Sequence, residues 1–200
     1  MKIICLSDTH SKHKNFEDKL PLDADMIIHA GDITRVGSAS GVQDFLNWYS
    51  RLPYKHKIFI AGNHDYALQE EKNLIRFPEN VIYLENSSVT IEGIKIWGSP
   101  VCAHDEDWAF NYNEFERRVM YNKIPNDANI IVSHNPPYEI MDRISMLKMR
   151  KGCKILRDKI TEIKPKYVIF GHVHEGAGVQ VIDDITYINT ACHINIINYE

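Results

Sequence analysis

The stretch Ile58-Phe59-Ile60-Ala61-Gly62-Asn63-His64-Asp65 sets the reading of the whole chain. Its three consecutive large apolar residues read as a short buried strand, and the segment from Tyr66 to Ile75 reads as a helix. Ala61 to Asp65 is then a turn at the carboxyl end of a strand, the edge on which open α/β sheets carry their ligands. Gly62 lets the backbone bend sharply or pass close to a ligand. Asn63 offers a neutral carbonyl oxygen, His64 a titratable imidazole, and Asp65 a carboxylate able to orient that imidazole. Alone, such a turn reads equally well as an Asn-rich helix cap. Four further short His/Asp motifs, each following its own apolar run, make it part of a site for two metal ions.

Upstream, the run Lys2 to Leu6 reads as a buried strand and leads into Asp8-Thr9-His10. Side chains at i and i+2 point the same way in extended or turn backbone, so this pair can grip one cation. The alternative is a capping turn, since Ser, Asp and Thr commonly open helices. His13 lies close by and is expected in a mobile polar loop without a special role. Asp25 to Ala30 is the second strand candidate and ends in Gly31-Asp32, where one carboxylate with two oxygens can bridge two cations. His29, inside the apolar run, is expected to pack. Ser38 to Ser40 are plausible caps for a helix with Val42, Phe45, Leu46, Tyr49 and Leu52 on one face, ended by Pro53.

Downstream, Val81 to Leu84, Ser88 to Ile91 and Ile94 to Trp97 are short β-like runs, with a hairpin signal at Glu92-Gly93. A β-meander between β-α units points to a sheet system in two parts, packed face to face. The aromatics between Trp97 and Asn111 are expected to fill the core. The sharper alternative is an aromatic wall for a flat group such as a nucleobase, with Trp108, Phe110 and Asn111 as the substrate-contact candidates. Helical spacing resumes at Tyr112, Phe115 and Val119. Ile130 to Val132 is another buried strand, and the prolines after Ser133-His134-Asn135 put His134 on a rigid loop. Between 139 and 150, Met141, Met146 and Met149 are expected to fill core gaps, with a flap over the site as the other reading. A helix marked by Cys153, Leu156, Ile160 and Ile163 leads to the strand Tyr167 to Phe170 and then Gly171-His172-Val173-His174. A β-rich stretch with its turn at Asp183-Asp184 closes the chain. No repeat, low-complexity tract or linker interrupts residues 1–200, which read as a single domain.

The 200 residues are 44% hydrophobic and 25% charged, the balance of an ordinary soluble globular domain. A net charge of −4 argues against holding long nucleic acid by general electrostatics. A small anionic substrate remains compatible, because bound cations dominate the field around them. Cys5, Cys102, Cys153 and Cys192 are scattered without a C-x-x-C pair and are expected to be reduced and mostly buried. The first residues run straight into a strand and then Ser7-Asp8, too short and too soon polar to be expected of a signal peptide, and no apolar span approaches about 18 residues. The expected location is cytoplasmic, with no membrane and no long nucleic acid as partner. Oligomeric state leaves no signal in the sequence.

D-x-H, G-D, G-N-H-D, a His after a strand, and G-H-x-H occur here in that order, and in this the chain resembles a calcineurin-like metallophosphoesterase from Asp8 to His174. Within that superfamily, Leu52 to Lys57, Gly171 to Gly176 and Tyr187-Ile188-Asn189 look closest to small metallophosphoesterase-domain proteins related to a brain-expressed group. That branch is associated with hydrolysis of cyclic nucleotides, and it often has Glu where this chain has Asp65. The resemblance implies an α/β fold, a four-layer α/β/β/α sandwich of two mixed sheets with a dinuclear site at the strand carboxyl edge. By the same resemblance Asp8, His10 and His174 would hold one metal, Asn63, His134 and His172 the other, and Asp32 would bridge them. His64 would be a proton donor or a charge partner for the phosphoryl oxygens, held by Asp65. A ligand set of N and O atoms is compatible with Mn, Fe, Zn, Ni or Mg, with Mn first by resemblance. The leading expectation is a phosphodiesterase acting on a small substrate. A phosphomonoesterase or protein phosphatase would use the same site, and a non-catalytic scaffold would have no reason to keep so many His and Asp residues together.

Overall fold

The computed structural model describes residues 1–103 and 107–200. In chain order the elements are β1 (Lys2–Leu6), β2 (Met26–Ala30), α1 (Ala39–Arg51), β3 (His56–Ile60), α2 (Tyr66–Glu70), β4 (Ile82–Tyr83), β5 (Ser87–Ile91), β6 (Ile94–Ser99), α3 (Glu114–Tyr121), β7 (Ile130–Ser133), β8 (Arg143–Ile144), β9 (Met149–Arg150), α4 (Lys154–Ile163), β10 (Tyr167–Phe170), β11 (Gly178–Ile182), β12 (Ile185–Asn189) and β13 (Ile194–Asn198). One sheet has the order β13-β1-β2-β3-β4 and the other β11-β12-β10-β7-β6-β5. Each has a parallel centre, with β13 antiparallel on one and β11 and β5 antiparallel at the edges of the other.

Successive residues of a strand point to opposite faces, so an all-apolar strand feeds two cores at once. Ile3 and Cys5 of β1, Ile28 of β2 and Ile58 of β3 meet Ile96, Ile130, Val132, Ile169 and Ile188 of the second sheet. Ile4 and Leu6, one residue out of phase, pack instead with Phe45, Leu46 and Tyr49 of α1. On the far side of the second sheet, Trp97, Ile131, Val168 and Phe170 pack with Tyr121 of α3 and Leu156 and Ile160 of α4. The result is four layers, α/β/β/α. Each of these fully buried side chains contributes about 1.5–3 kcal/mol relative to exposure. Tyr49 buries its ring without losing its hydroxyl, which donates to the Ile27 and Ile58 carbonyls at 3.1 and 2.8 Å. Ser38 caps α1 by accepting from the Gly41 N–H at 3.2 Å.

Several elements depart from the sequence reading. The helix expected from Tyr66 to Ile75 stops at Glu70 and gives way to a 3-10 turn, Lys72–Leu74. The positions three and four after Leu68 are Glu71 and Lys72, so its buried stripe has no continuation. The run at 81–84 supplies β4, which pairs in parallel with β3 instead of joining a meander. In α3 the spaced residues Phe115 and Val119 face solvent, at 74% and 46% exposure, and the core face is carried by Tyr121. A capping box between Asn113 and Glu116 sets the phase of that helix. Met141 packs against the outer core, but Met146 and Met149 are exposed on the β8–β9 hairpin, which among the described residues forms strand pairs only with itself. His13 is not in a mobile loop: it is buried against Phe45 and Trp48. Cys5, Cys102 and Cys153 are buried as expected, and Cys192 is exposed. Among the described residues no helix is long and apolar enough to cross a membrane.

Candidate metal centre

The carboxyl ends of β1, β2 and β3 and of β7 and β10 open onto one edge of the sandwich. Asp8 and His10 follow β1, Asp32 follows β2, Asn63 and His64 follow β3, His134 follows β7, and His172 and His174 follow β10. To turn so soon after a strand, the chain places Asp8, His10, Asp32 and His172 in the left-handed region, with φ of 56°, 43°, 55° and 68°. Such backbone costs of order 1–3 kcal/mol per residue and persists where surrounding contacts over-determine it. Here the Asp8 and His10 N–H groups donate to the Gly31 and Asp32 carbonyls at 2.9 and 3.0 Å. Two motif glycines are required by close approach. A Cβ at Gly62 would strike the Asp32 carboxylate, and one at Gly171 would strike the Asp8 carboxylate.

The donor atoms fall into two groups joined by Asp32. In the first, His174 Nε2 lies 3.2 Å from Asp8 Oδ1 and 3.4 Å from His10 Nε2. In the second, Asn63 Oδ1 lies 3.1 Å from His134 Nε2 and 2.9 Å from His172 Nδ1. Asp32 turns Oδ1 toward His134 Nε2 at 3.3 Å and Oδ2 toward His10 Nε2 at 3.8 Å. Two donors bound about 2.1 Å from one ion at tetrahedral or octahedral angles lie about 3.0–3.5 Å apart, so the separations of 2.9–3.4 Å suit edges of a coordination shell, and the 3.8 Å between His10 and Asp32 is somewhat longer.

Tautomers supply an independent test. A carbonyl only accepts, so Nδ1 of His134, 2.9 Å from the Ala30 oxygen, carries a proton, as does Nδ1 of His10 beside the Thr34 oxygen at 3.3 Å. In the neutral rings Nε2 is then a bare lone pair. At His134 it faces oxygens of Asn63 and Asp32, an arrangement that needs either a second proton or a cation. The residues therefore fit divalent ions, and the hydrogen-bonded far nitrogens are what metal-ligating histidines commonly show.

Without a cation the same crowding falls on protons. Burial opposes the charge on His134, but the Asp32 carboxylate outweighs it and raises the pKa to about 9. The hydrogen bond to Asp8 raises His174 to about 10, helped by Cys192. Burial works against the carboxylates of Asp8 and Asp32, yet the facing histidines hold both below the ordinary range. At His10 burial prevails over the nearby carboxylates and lowers the value.

His64 and Asp65 are adjacent in sequence but face different neighbours. The His64 ring donates through Nδ1 to the Arg35 carbonyl at 2.9 Å and turns Nε2 toward the centre, 3.9 Å from Asp32 Oδ2. Asp65 does not hold it. Its fully buried carboxylate accepts from the Ile33, Thr34 and Gly62 N–H groups and the Thr34 hydroxyl, at 3.2, 2.9, 2.8 and 2.7 Å. Asp65 thus ties the loop carrying Asp32 to the loop carrying Asn63. Burial, with Asp32 close by, raises its pKa to about 6 against those hydrogen bonds.

Of the three substrate-contact candidates, Trp108 and Asn111 line a cavity of about 270 Å³ with Asn63, His172, Ile144 and Leu147. The Trp108 ring lies 4.4 Å from that of His64. Phe110 is the exception: it is fully buried in the core beneath α1, so the packing reading holds for it. Two neighbours of the site gave no sequence signal. Cys192 sets its Sγ 3.4 Å from the Asp8 carbonyl and 3.8 Å from His174 Nδ1. Arg35 contributes only a carbonyl. The segment read either as core filling or as a flap places Ile144 and Leu147 of the β8–β9 hairpin in the cavity wall.

The sequence model of the calcineurin-like phosphoesterases matches residues 1–176. The chain belongs to that family. Human metallophosphoesterase domain-containing protein 1 is 34% identical over 221 residues, covering 97% of this chain and 67% of its own. A Caenorhabditis elegans UPF0046 protein is 33% identical over 208 residues, covering 96% and 69%. The solved structure of TT1561 from Thermus thermophilus superposes with a TM-score of 0.66 over 95% of this chain and 88% of that one, at 14% identity, a likeness of fold. As a calcineurin-like phosphoesterase the chain is a phosphoester hydrolase with candidate ligands for divalent metal ions, and its two mixed sheets are those of that fold.

Proposed function

We propose that this phosphoesterase cleaves small phosphodiesters, cyclic nucleotides foremost, on two divalent ions with manganese the first expected. Asp8, His10 and His174 would hold one ion and Asn63, His134 and His172 the other, with Asp32 between them. Ions so held lower the pKa of a bound water and neutralise charge on phosphoryl oxygens.

The observation that carries the substrate reading is the cavity beside the centre. It shares Asn63 and His172 with the candidate ligands and has the Trp108 indole in its wall. A flat group attached to the reacting phosphate would meet that indole while the phosphate stayed at the histidines. His64 serves the leaving group. Its Nδ1 proton is committed to the Arg35 carbonyl, so only Nε2 is available to the substrate, and it gives a proton there when the ring is imidazolium.

The test is a metal-reconstituted screen of 2′,3′- and 3′,5′-cyclic nucleotides, aryl phosphodiesters and aryl phosphomonoesters, repeated on Trp108→Ala. Base–aromatic stacking is worth about 1–3 kcal/mol, so KM for nucleotides is expected to rise about 5- to 150-fold with little change for a small aryl diester. Equal losses on both, together with lowered thermal stability, would return Trp108 to a packing role.

A further inference from the structure

The hairpin β8–β9 stands over the site on two struts. At its base the Arg150 guanidinium donates to Asp142 Oδ1 at 2.6 Å, and Asp142 is fully buried. Near its tip the Ser145 N–H donates to Glu175 Oε2 at 2.8 Å. Glu175 directly follows His174, so the second strut ties the hairpin to the segment carrying the G-H-x-H histidines. The hairpin in turn supplies Ile144, which lines both the cavity with Trp108 and the adjoining cavity of about 300 Å³ over the centre.

Glu175 also lines that second cavity, beside His10, His64 and His174. The other carboxylate there, Asp32, is engaged by histidines. Among the described residues no Lys, Arg or His pairs with Glu175. Its negative charge therefore stands at the rim of a site that must admit an anion. A phosphodiester carries one negative charge at neutral pH, whereas a phosphomonoester carries about 1.5 to 2. A fixed carboxylate at the rim repels the second charge selectively, and with water partly displaced the repulsion is stronger than in bulk solvent.

We propose that Glu175 is a specificity residue with two separable effects: its charge disfavours dianionic monoesters, and its hydrogen bond to Ser145 holds Ile144 and Leu147 where they form the substrate wall. The first effect rests on the phosphodiesterase reading above, and the second does not.

Two variants separate them. Glu175→Gln keeps an acceptor for the Ser145 N–H and removes the charge; Glu175→Ala removes both. With Glu175→Gln, the ratio of kcat/KM for an aryl phosphomonoester to that for the matching diester is expected to rise about tenfold. Metal content should stay native, and the hairpin should resist trypsin as in the native protein. With Glu175→Ala, the bonds after Arg143 and Lys148 should be cut faster, and KM for the larger diesters should rise more than kcat falls. An unchanged ester ratio in Glu175→Gln overturns the charge effect. Native-like proteolysis in Glu175→Ala overturns the strut. Loss of metal in either variant makes Glu175 a support of His174 and overturns both. If the native enzyme hydrolyses monoesters alone, the phosphodiesterase reading and the charge effect fall together, and the proteolysis still decides the strut.

Discussion

Removing the divalent ions is expected to make the protein's stability depend steeply on pH, because His134 then has only a proton with which to meet Asp32 and Asn63. The ring is fully buried, and its pKa is raised from 6.5 to about 9, with burial opposing and the Asp32 carboxylate prevailing. A histidine whose folded pKa exceeds its unfolded value holds its proton more tightly when folded. Its contribution is complete below pH 6.5, declines as pH rises, and is gone above about 9. A displacement of that size corresponds to about 3 kcal/mol. The depressed pKa of Asp32 expresses the same pair and is not added. Asp65, raised to about 6, loses its contribution between about pH 4 and 6, below the window. His174 is half exposed, so its rise to about 10 adds a weaker decline across the same window that runs on to about pH 10. Burial lowers His10, His13 and His29, which add stability as pH rises through about 6.5, so the decline is read above them: urea unfolding of chelator-treated protein from pH 7.5 to 10 would reveal it, and His134→Asn should make it shallower. With metal restored the slope should largely disappear, since the lone pair no longer needs a proton. Stability of the metal-free protein that stays level or rises between about pH 7.5 and 9 would refute the reasoning.

Three further outcomes are expected. Asp32→Ala should disturb both ions and His10→Ala mainly one, as metal content after reconstitution will show; no divalent metal in the intact protein under replete conditions would end the two-ion reading. Cys192→Ala should weaken the first ion about tenfold or more by freeing His174 Nδ1, and Cys192→Ser should restore it, read by metal titration. His64→Ala should keep both ions but lose about 10²–10⁴ in kcat, less with a nitrophenolate leaving group than with a ribose alkoxide. Equal losses on the two substrates would leave charge stabilisation as its role, and loss of an ion would make it a ligand.

Most of the site was legible because each candidate ligand stands within four residues of a buried strand. Short apolar runs such as Ile130 to Val132 admit little besides a strand between two cores, and they fix where the next polar residue emerges. The layer order required the resemblance, since an apolar strand does not say which neighbour it pairs with. β4 shows the difficulty: its run reads the same beside β3 as in a meander, and only the parallel register Ile58↔Ile82 distinguishes them. At 143–150 the core-filling reading fails for the opposite reason. Its methionines carry the composition of a core, but two strands of two residues each cannot bury them.

The pairing of Asp65 with His64 went astray for a reason specific to loops. A carboxylate next to an imidazole in sequence looks like an orienting partner, yet adjacent residues in a turn point apart, and here Asp65 points down into the protein. Burial without a counter-ion then demands several donors. The loop after β2 provides them from Ile33 and Thr34, and the Gly62 N–H adds another. His64 is left to find its acceptor in a main-chain carbonyl, which any residue at position 35 could supply and which no residue type announces. A carbonyl cannot take the proton, so it fixes the ring's tautomer and direction without sharing its chemistry. The division follows from the packing: Asp65 holds the two loops in register, and His64 keeps Nε2 turned toward the centre.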